Sequence, residues 1–572
     1  DGGADIDVAD YSAEGAGIVV DTSGGTDTVV DGGGATDTLI DIERIEGSTH
    51  DDTFVGDDAV ADTFYGGTGN DLIDYGSASA DLDVDLTANQ MIDANTNTDI
   101  INGFENVNTG SGADSINGSS GANVIDAGAG DDEVNGLAGN DTIYGQAGMD
   151  IIYAGADDDT IYGGTEDDTL IGGEGDDTID GGADSDTVDY NLDGGASGIT
   201  VDLSAGTVTV TDTWGDTDTL IGIENIIATG QADTFTGQNG VDNTFDAKGG
   251  SDWVDQSADT AKVVVDLEND TMTDAAGGTD TIIDVENFRA GTGDDTIDGT
   301  AEINTIYGGA GADVINGLGN NDVLYGEDGN DVIDGGDDDD TIDGGADDDT
   351  IYGGAGNDSI DGGAGIDTIY DGAGIDIIDG EGDSDFIIAS DDGEADTFGG
   401  GGGADTIDFT NISLDLTIDL NVNNYTVVAT GDVINSFLNV NTGSGNDTIY
   451  TNTVSATNII NSGDGTDTIH IHGGSDTVDA EDGDDTIVVY AQNNGTIDGG
   501  LGTDTLDYSN LTSFVSVNFS GATDTVNGGT YHDIDSIENV IGTDFDDTFA
   551  GNDGVAETFD AGLGTNLLNY GS

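Results

Sequence analysis

Between Glu286 and Asp385 an acidic or amide residue returns every ninth position, and an aliphatic residue follows each one two places later. The positions are Asp295, Asn304, Asp313, Asp322, Asp331, Asp340, Asp349, Asp358, Asp367, Asp376 and Asp385, and their companions run from Ile297 through Leu324 to Ile387 with no polar member. Glycines cluster ahead of most of the acids, as in Gly353-Gly354-Ala355-Gly356-Asn357-Asp358, so the unit is Gly-Gly-x-Gly-x-Asp-x-aliphatic-x. Nine residues are too few for a helical repeat, and the set offset of the aliphatic residue is more regular than a solvated acidic tail requires. The period therefore predicts a solenoid.

The unit resembles the RTX (repeats-in-toxin) nonapeptide. The resemblance implies an all-β fold, a right-handed parallel β-roll or β-solenoid in which two nonapeptides make one coil. The glycine-rich half would form a tight turn and the last three residues a short strand. Carried over residue by residue, it implies calcium ligation between coils by Asp114, Asp132, Asp141, Asp150, Asp159, Asp168, Asp177 and Asp186 in one run. In the longest run it implies the same for Asp295, Asp313, Asp322, Asp331, Asp340, Asp349, Asp358, Asp367, Asp376 and Asp385, continued after a two-residue slip by Asp396 and Asp405. A third run adds Asp447, Asp467, Asp476 and Asp485. The implied cofactor is Ca2+, many ions per chain.

Charge argues for a cation independently. Four basic residues face 122 acidic ones, a formal net charge of −118. Successive coils of a β-solenoid lie about 4.8 Å apart, and two carboxylates at that distance repel by about 0.9 kcal/mol even in water. Summed over long columns this approaches the roughly 5–15 kcal/mol stability of a whole domain. A hard divalent cation held by carboxylates and turn carbonyls removes the conflict. With no Cys and only four His, zinc, iron and copper are disfavoured. Nucleic acid and anionic membrane surfaces carry the wrong sign as partners.

The runs are separated by a second motif that occurs six times. Its copies start at Asp10-Tyr11, Asp74-Tyr75, Asp189-Tyr190, Asp255-Gln256, Asp408-Phe409 and Asp507-Tyr508. Most end on a Glu nine residues ahead of the next slot acid, as Glu105 precedes Asp114 and Glu224 precedes Asp233, so the inserts re-enter the beat. Segments such as Ile199-Thr200-Val201-Asp202-Leu203 have the period of a half-buried strand, and each insert is expected to be about two widened, irregular coils with fewer calcium sites.

The resulting organisation places N-terminal insert coils with short nonapeptide runs in 1–113, a β-roll in 114–190, two insert modules in 191–294 and the long β-roll in 295–409. An insert module follows in 410–446, a β-roll in 447–509, and a last insert with a short run in 510–572. At 18 residues per coil, 572 residues make about 32 coils, a rod on the order of 150 Å long. The chain opens inside a nonapeptide, at Asp1-Gly2-Gly3-Ala4-Asp5, and a processed or truncated product is expected.

No enzyme is expected. Paired carboxylates do acid–base work when their environments separate their pKa values, whereas these occupy identical slots, and no His-Glu-x-x-His or Gly-x-Ser-x-Gly motif is present. His470 and His472 alternate on a strand and read as a surface pair, His50 and His532 as isolated residues, and Trp214 and Trp253 as packing aromatics. The Tyr column, with Tyr144, Tyr162, Tyr307, Tyr325, Tyr352 and Tyr370 at the ninth position, reads as outward strand residues shielding a thin core. The expected function is a secreted calcium-binding structural or adhesive element of a bacterial surface. It is expected outside the cell by type I secretion, with self-association or a cell-surface polysaccharide as partner. The alternative is the calcium-binding C-terminal region of a secreted enzyme or toxin whose catalytic domain lies outside this chain.

Overall fold

The computed structural model describes residues 2, 3, 6–24, 26–56, 61–93, 96–204, 208–421, 425–453, 456–491, 494–519, 524–526, 533–551 and 557–570. Its secondary structure there is strand, turn and bend, without a helix. The chain forms two compact units, one of Asp1–Gln256 with Asn269–Asn287, the other of Ser257–Glu268 with Phe288–Ser572.

Both units are built on the same coil. In unit 1, strand Thr142–Ala147 pairs in parallel with Thr160–Thr165, matching Thr142 to Thr160, Ile143 to Ile161 and Tyr144 to Tyr162, a step of two nonapeptides. The intervening Ile151–Ala156 pairs instead with Glu133–Ala138 and Thr169–Glu174. Alternate nonapeptides thus belong to two facing sheets, as a parallel β-roll requires. Unit 2 repeats the arrangement, with Thr341–Ala346 on Ser359–Ala364 and Val332–Asp337 on Thr350–Ala355.

Strand alternation turns one residue of each Thr-Ile-Tyr or Thr-Ile-Asp triplet inward. Ile333, Ile351, Ile369 and Ile387 are completely buried, so the core is a single column of aliphatic side chains per sheet. Each contributes roughly 1.5–3 kcal/mol by leaving water, and no second layer backs it up. The tyrosines stack on the outer faces, Tyr307 on Tyr325 and Tyr352 on Tyr370 at 4.6 Å, and Tyr144 on Tyr162 at 5.0 Å.

Most coils place glycine where successive turns touch, although Leu137, Gln146, Leu318 and Glu327 hold the same left-handed position at φ +75° to +84°. Gly354 has φ +104°, and a Cβ there would lie 2.1 Å from the Gly336 carbonyl oxygen of the coil below. The slips are absorbed in turns without loss of register. Phe386–Ile388 still pairs with Thr406–Asp408 across 20 residues instead of 18, Ile387 opposite Ile407.

The inserts differ from the expected widened coils in one respect: each folds back on itself. In the second insert, Gln90–Asp93 runs antiparallel to both Leu82–Asp85 and Thr98–Asn102. The outer two of these three strands run parallel with coil strands, Leu82–Asp85 with Ser115–Asn117 and Thr98–Asn102 with Thr63–Tyr65. The third insert repeats this with Thr200–Asp202, Val208–Thr211 and Thr217–Ile221. The reversal is made by an Asp at the hairpin turn. Asp212 Oδ1 accepts the amides of Trp214, Gly215 and Asp216 at 3.0, 2.8 and 2.8 Å, an Asx-type closure over three successive amides.

Candidate metal centre

The sixth residue of each nonapeptide lies at the start of a strand, where the chain leaves the glycine turn. Its backbone is fixed by the ladder, and its side chain is directed along the stack. Asp349 Oδ1 accepts the Asp331 amide at 2.8 Å, and Asp367 Oδ1 accepts the Asp349 amide at 2.8 Å. One column in unit 2 runs from Asp295 through Asp313, Asp331, Asp349, Asp367 and Asp385 to Asp405, with links of 2.6–3.1 Å. The facing column runs from Asn304 through Asp322, Asp340, Asp358 and Asp376 to Asp396. In unit 1 the same bond joins Asp114, Asp132, Asp150, Asp168 and Asp186, and on the other side Asn123, Asp141, Asp159 and Asp177. Asp447, Asp467 and Asp485 form one more series, and Asp476 accepts from Asn458. Every predicted residue therefore stands in a slot, each slot one step along a hydrogen-bonded acid ladder.

The second carboxylate oxygen is different. In all the predicted residues except Asp396 and Asp476, Oδ2 is buried and accepts no hydrogen bond from the protein. A buried acceptor left unmade costs about 1–3 kcal/mol, more when charged. Accordingly, the slot carboxyls are pushed far above the usual carboxylate range, first by burial and then by their neighbours' charge. Asp177 and Asp349 reach about 8, Asp132, Asp168, Asp313 and Asp385 about 7, and Asp331, Asp358 and Asp376 about 6.

In many turns the first glycine leaves room beside this oxygen, as at Gly163, Gly335 and Gly344. A Cβ built on Gly344 would lie 2.7 Å from Asp349 Oδ2 and 2.5 Å from the Gly362 carbonyl oxygen. That space is bounded by a bare carboxylate oxygen and a turn carbonyl, the donor set a hard cation selects. Among the described residues no three His, Asp, Glu or Cys side chains converge on one point. An ion held here therefore draws part of its shell from backbone carbonyls. The residues fit a calcium ion, which when bound would supply the positive charge that Oδ2 lacks.

A family model described as the RTX calcium-binding nonapeptide repeat matches residues 46–79, 99–194, 289–393 and 454–506 in overlapping four-copy units, just over half of the chain. The chain belongs to this RTX family. It is a calcium-binding protein of the RTX type, and the parallel coil expected from its period is the fold observed. No curated protein matches it.

In this RTX protein the ladder extends beyond the residues picked out by the beat. Asp504 accepts the Asp485 amide at 2.9 Å and leaves its own Oδ2 without a partner, although the 19-residue step conceals it in the sequence. Glutamates close the ladder at the insert ends. Glu105, Glu224, Glu286 and Glu538 accept the amides of Asp71, Asp186, Asp252 and Asp504 through Oε2 at 2.9–3.0 Å. Inside the inserts, Asp99, Asp218, Asp280 and Asp432 hold slots through Oδ1. Three of them stand six residues before the insert's Glu, a spacing visible in the sequence.

The remaining candidates do not join the ladder. His470 stacks on Tyr450 at 4.2 Å and His472 on Tyr490 at 4.7 Å, making a half-buried four-ring cluster. Trp214 is 48% exposed and its indole N–H donates to the Asp193 carbonyl at 3.2 Å. His532 lies outside the described residues.

Proposed function

We propose that this RTX protein is a secreted structural or adhesive element of a bacterial surface, such as a filament, a surface-layer subunit or an adhesin stalk, that folds when calcium fills its slots. The observation that carries this reading is the repetition of the buried, unsatisfied Oδ2 at successive Asp slots in both columns of each unit. Stacked carboxylates at coil spacing oppose folding in the absence of a cation, and loops of modest affinity fill where free calcium is millimolar, as it is outside cells. The low-calcium cytoplasm would keep the chain unfolded and competent for type I export. The inserts re-enter the same ladder, so their role here is to interrupt and vary a scaffold. Self-association or binding of a cell-surface polysaccharide is the expected partnership. Two measurements test the reading. Excess chelator should abolish the β-type circular dichroism and calcium restore it. Negative-stain microscopy in calcium should show filaments or lateral arrays. A folded spectrum in chelator, or monodisperse monomers at high concentration in calcium, would contradict it.

A further inference from the structure

The first four inserts share a spacing. A residue following the opening Asp (Tyr11, Tyr75, Tyr190 or Gln256) is succeeded 24–28 positions later by an Asp that stands six before the closing Glu: Asp37, Asp99, Asp218 and Asp280. The last three occupy ladder slots. Their Oδ1 atoms accept the amides of Asp62, Asp177 and Asn243 at 2.8, 3.0 and 2.8 Å, as in any nonapeptide coil.

The slots differ at the other oxygen. The Tyr75 hydroxyl donates to Asp99 Oδ2 at 2.6 Å, and the Tyr190 hydroxyl to Asp218 Oδ2 at 3.0 Å, both tyrosines being 1% exposed. Tyr11 makes the same bond to Asp37 at 3.2 Å in an exposed setting. Where Gln256 replaces the tyrosine, its amide turns to Met272 Sδ at 3.8 Å, and Asp280 Oδ2 is left buried with no partner. The absence of the hydroxyl thus coincides with the condition found along the nonapeptide columns. A hydroxyl donating to a carboxylate is a charge-assisted bond, about twice as strong as a neutral one, and its ring fills the core at the same time.

We infer that the buried tyrosine hydroxyl of an insert stands in for the cation of a nonapeptide coil, so that Asp99 and Asp218 hold their slots without calcium whereas Asp280 is a cation-binding slot. The inference rests on the calcium reading of the columns. It makes the second and third inserts calcium-independent staples. In calcium-poor solution they keep neighbouring strands in register while the nonapeptide runs open, and ion binding then extends an existing ladder.

Hydrogen exchange on the full chain, in excess chelator and in millimolar calcium, tests this. In chelator, strands Thr98–Asn102 and Thr217–Ile221 are expected to exchange at least about tenfold more slowly than Thr279–Ile283, the factor that one charge-assisted bond supplies. Tyr190→Phe, which keeps the ring and removes only the donor, should bring Thr217–Ile221 to the rate of Thr279–Ile283. Calcium should then restore its protection. The reciprocal Gln256→Tyr should slow Thr279–Ile283 in chelator by a similar factor. Equal rates for the three strands in the unmodified chain in chelator, or no change in Tyr190→Phe, overturn the inference while leaving the columns' calcium dependence intact. Protection of the 295–385 run that is indifferent to chelator overturns both readings.

Discussion

Asp349→Asn separates the two roles of a slot residue, because it keeps the ladder acceptor and removes the charge. Its Oδ1 can still accept the Asp331 amide, now made at 2.8 Å. The chain already contains the outcome. Asn566 accepts the Asp547 amide at 2.8 Å through Oδ1 while its Nδ2 donates to the Leu563 carbonyl at 3.1 Å. The Asp349 carboxyl is raised to about 8 from 3.8, chiefly by burial. At 1.36 kcal/mol per unit, four units correspond to about 5–6 kcal/mol, and water reaching the turn reduces this to about 1–3 kcal/mol. Asp349→Asn should therefore stabilise the surrounding coils by about 1–3 kcal/mol in chelator at pH 7.5. In calcium that advantage should shrink. An ion at a hundred times its dissociation constant contributes about 2.7 kcal/mol, and a tenfold weaker site forfeits about 1.4 kcal/mol of that. Asp349→Ala should be less stable than Asp349→Asn in both conditions, by about 1–3 kcal/mol, since it also orphans the Asp331 amide. Urea unfolding followed by circular dichroism, with exchange at the Asp331 amide as the local probe, reads all three variants with and without calcium. An advantage of Asp349→Asn as large in calcium as in chelator would refute the assignment of Oδ2 as the ion-facing atom.

Acid should replace calcium. Burial raises the slot carboxyls, Asp349 to about 8, Asp313 to about 7 and Asp331 to about 6 against 3.8, so their protonated forms favour the fold. That contribution is complete below pH 3.8 and is lost as pH rises through 6–8. In chelator, β-type circular dichroism is expected near pH 4–5 and should disappear by pH 8. With calcium present it should persist through that range, and a calcium-free spectrum indifferent to pH would count against buried slots. Gly344→Ala places a methyl 2.5 Å from the Gly362 carbonyl and 2.7 Å from Asp349 Oδ2. It should lower stability by about 1–3 kcal/mol and also reduce the calcium stoichiometry measured by calorimetry. Unchanged stoichiometry would place the ion elsewhere. Ile351→Ala opens a column with no second layer behind it. It should cost about 2–5 kcal/mol equally with and without calcium, a loss of cohesion separable from loss of the ion in the same urea titrations.

The coil was legible because its three determinants recur in phase: glycine for the turn, Asp for the ladder and an aliphatic residue for the core. The inserts were less so. Ile199-Thr200-Val201-Asp202-Leu203 announces a strand by its alternation, but alternation carries no direction. The reversal depends on Asp212 closing a turn over Trp214, Gly215 and Asp216. The partner of Tyr190 stands 28 residues away, brought near only by that reversal. Asp504 was missed because its step is 19 residues, a length the turn absorbs while the strand register is kept.

One hydrogen bond, from the amide of a slot residue to an acid oxygen in the next coil, is made across coils and inserts alike. It is indifferent to calcium, since it needs only an acceptor, and it fixes the geometry of the stack. On the reading proposed above, calcium dependence is decided by the other atom of the same side chain, and the chain treats that atom in four ways. An amide nitrogen stands in its place and donates to a carbonyl at Asn123 and Asn458, a tyrosine hydroxyl donates to it at Asp99 and Asp218, a turn amide donates to it at Asp52, Asp233 and Asp547, and at slots such as Asp349 it faces a glycine cradle beside a turn carbonyl. The first three need no ion at that atom and the fourth leaves the oxygen to a cation, so substitutions at this one atom, without change of fold, would set how much of the ladder forms before calcium binds.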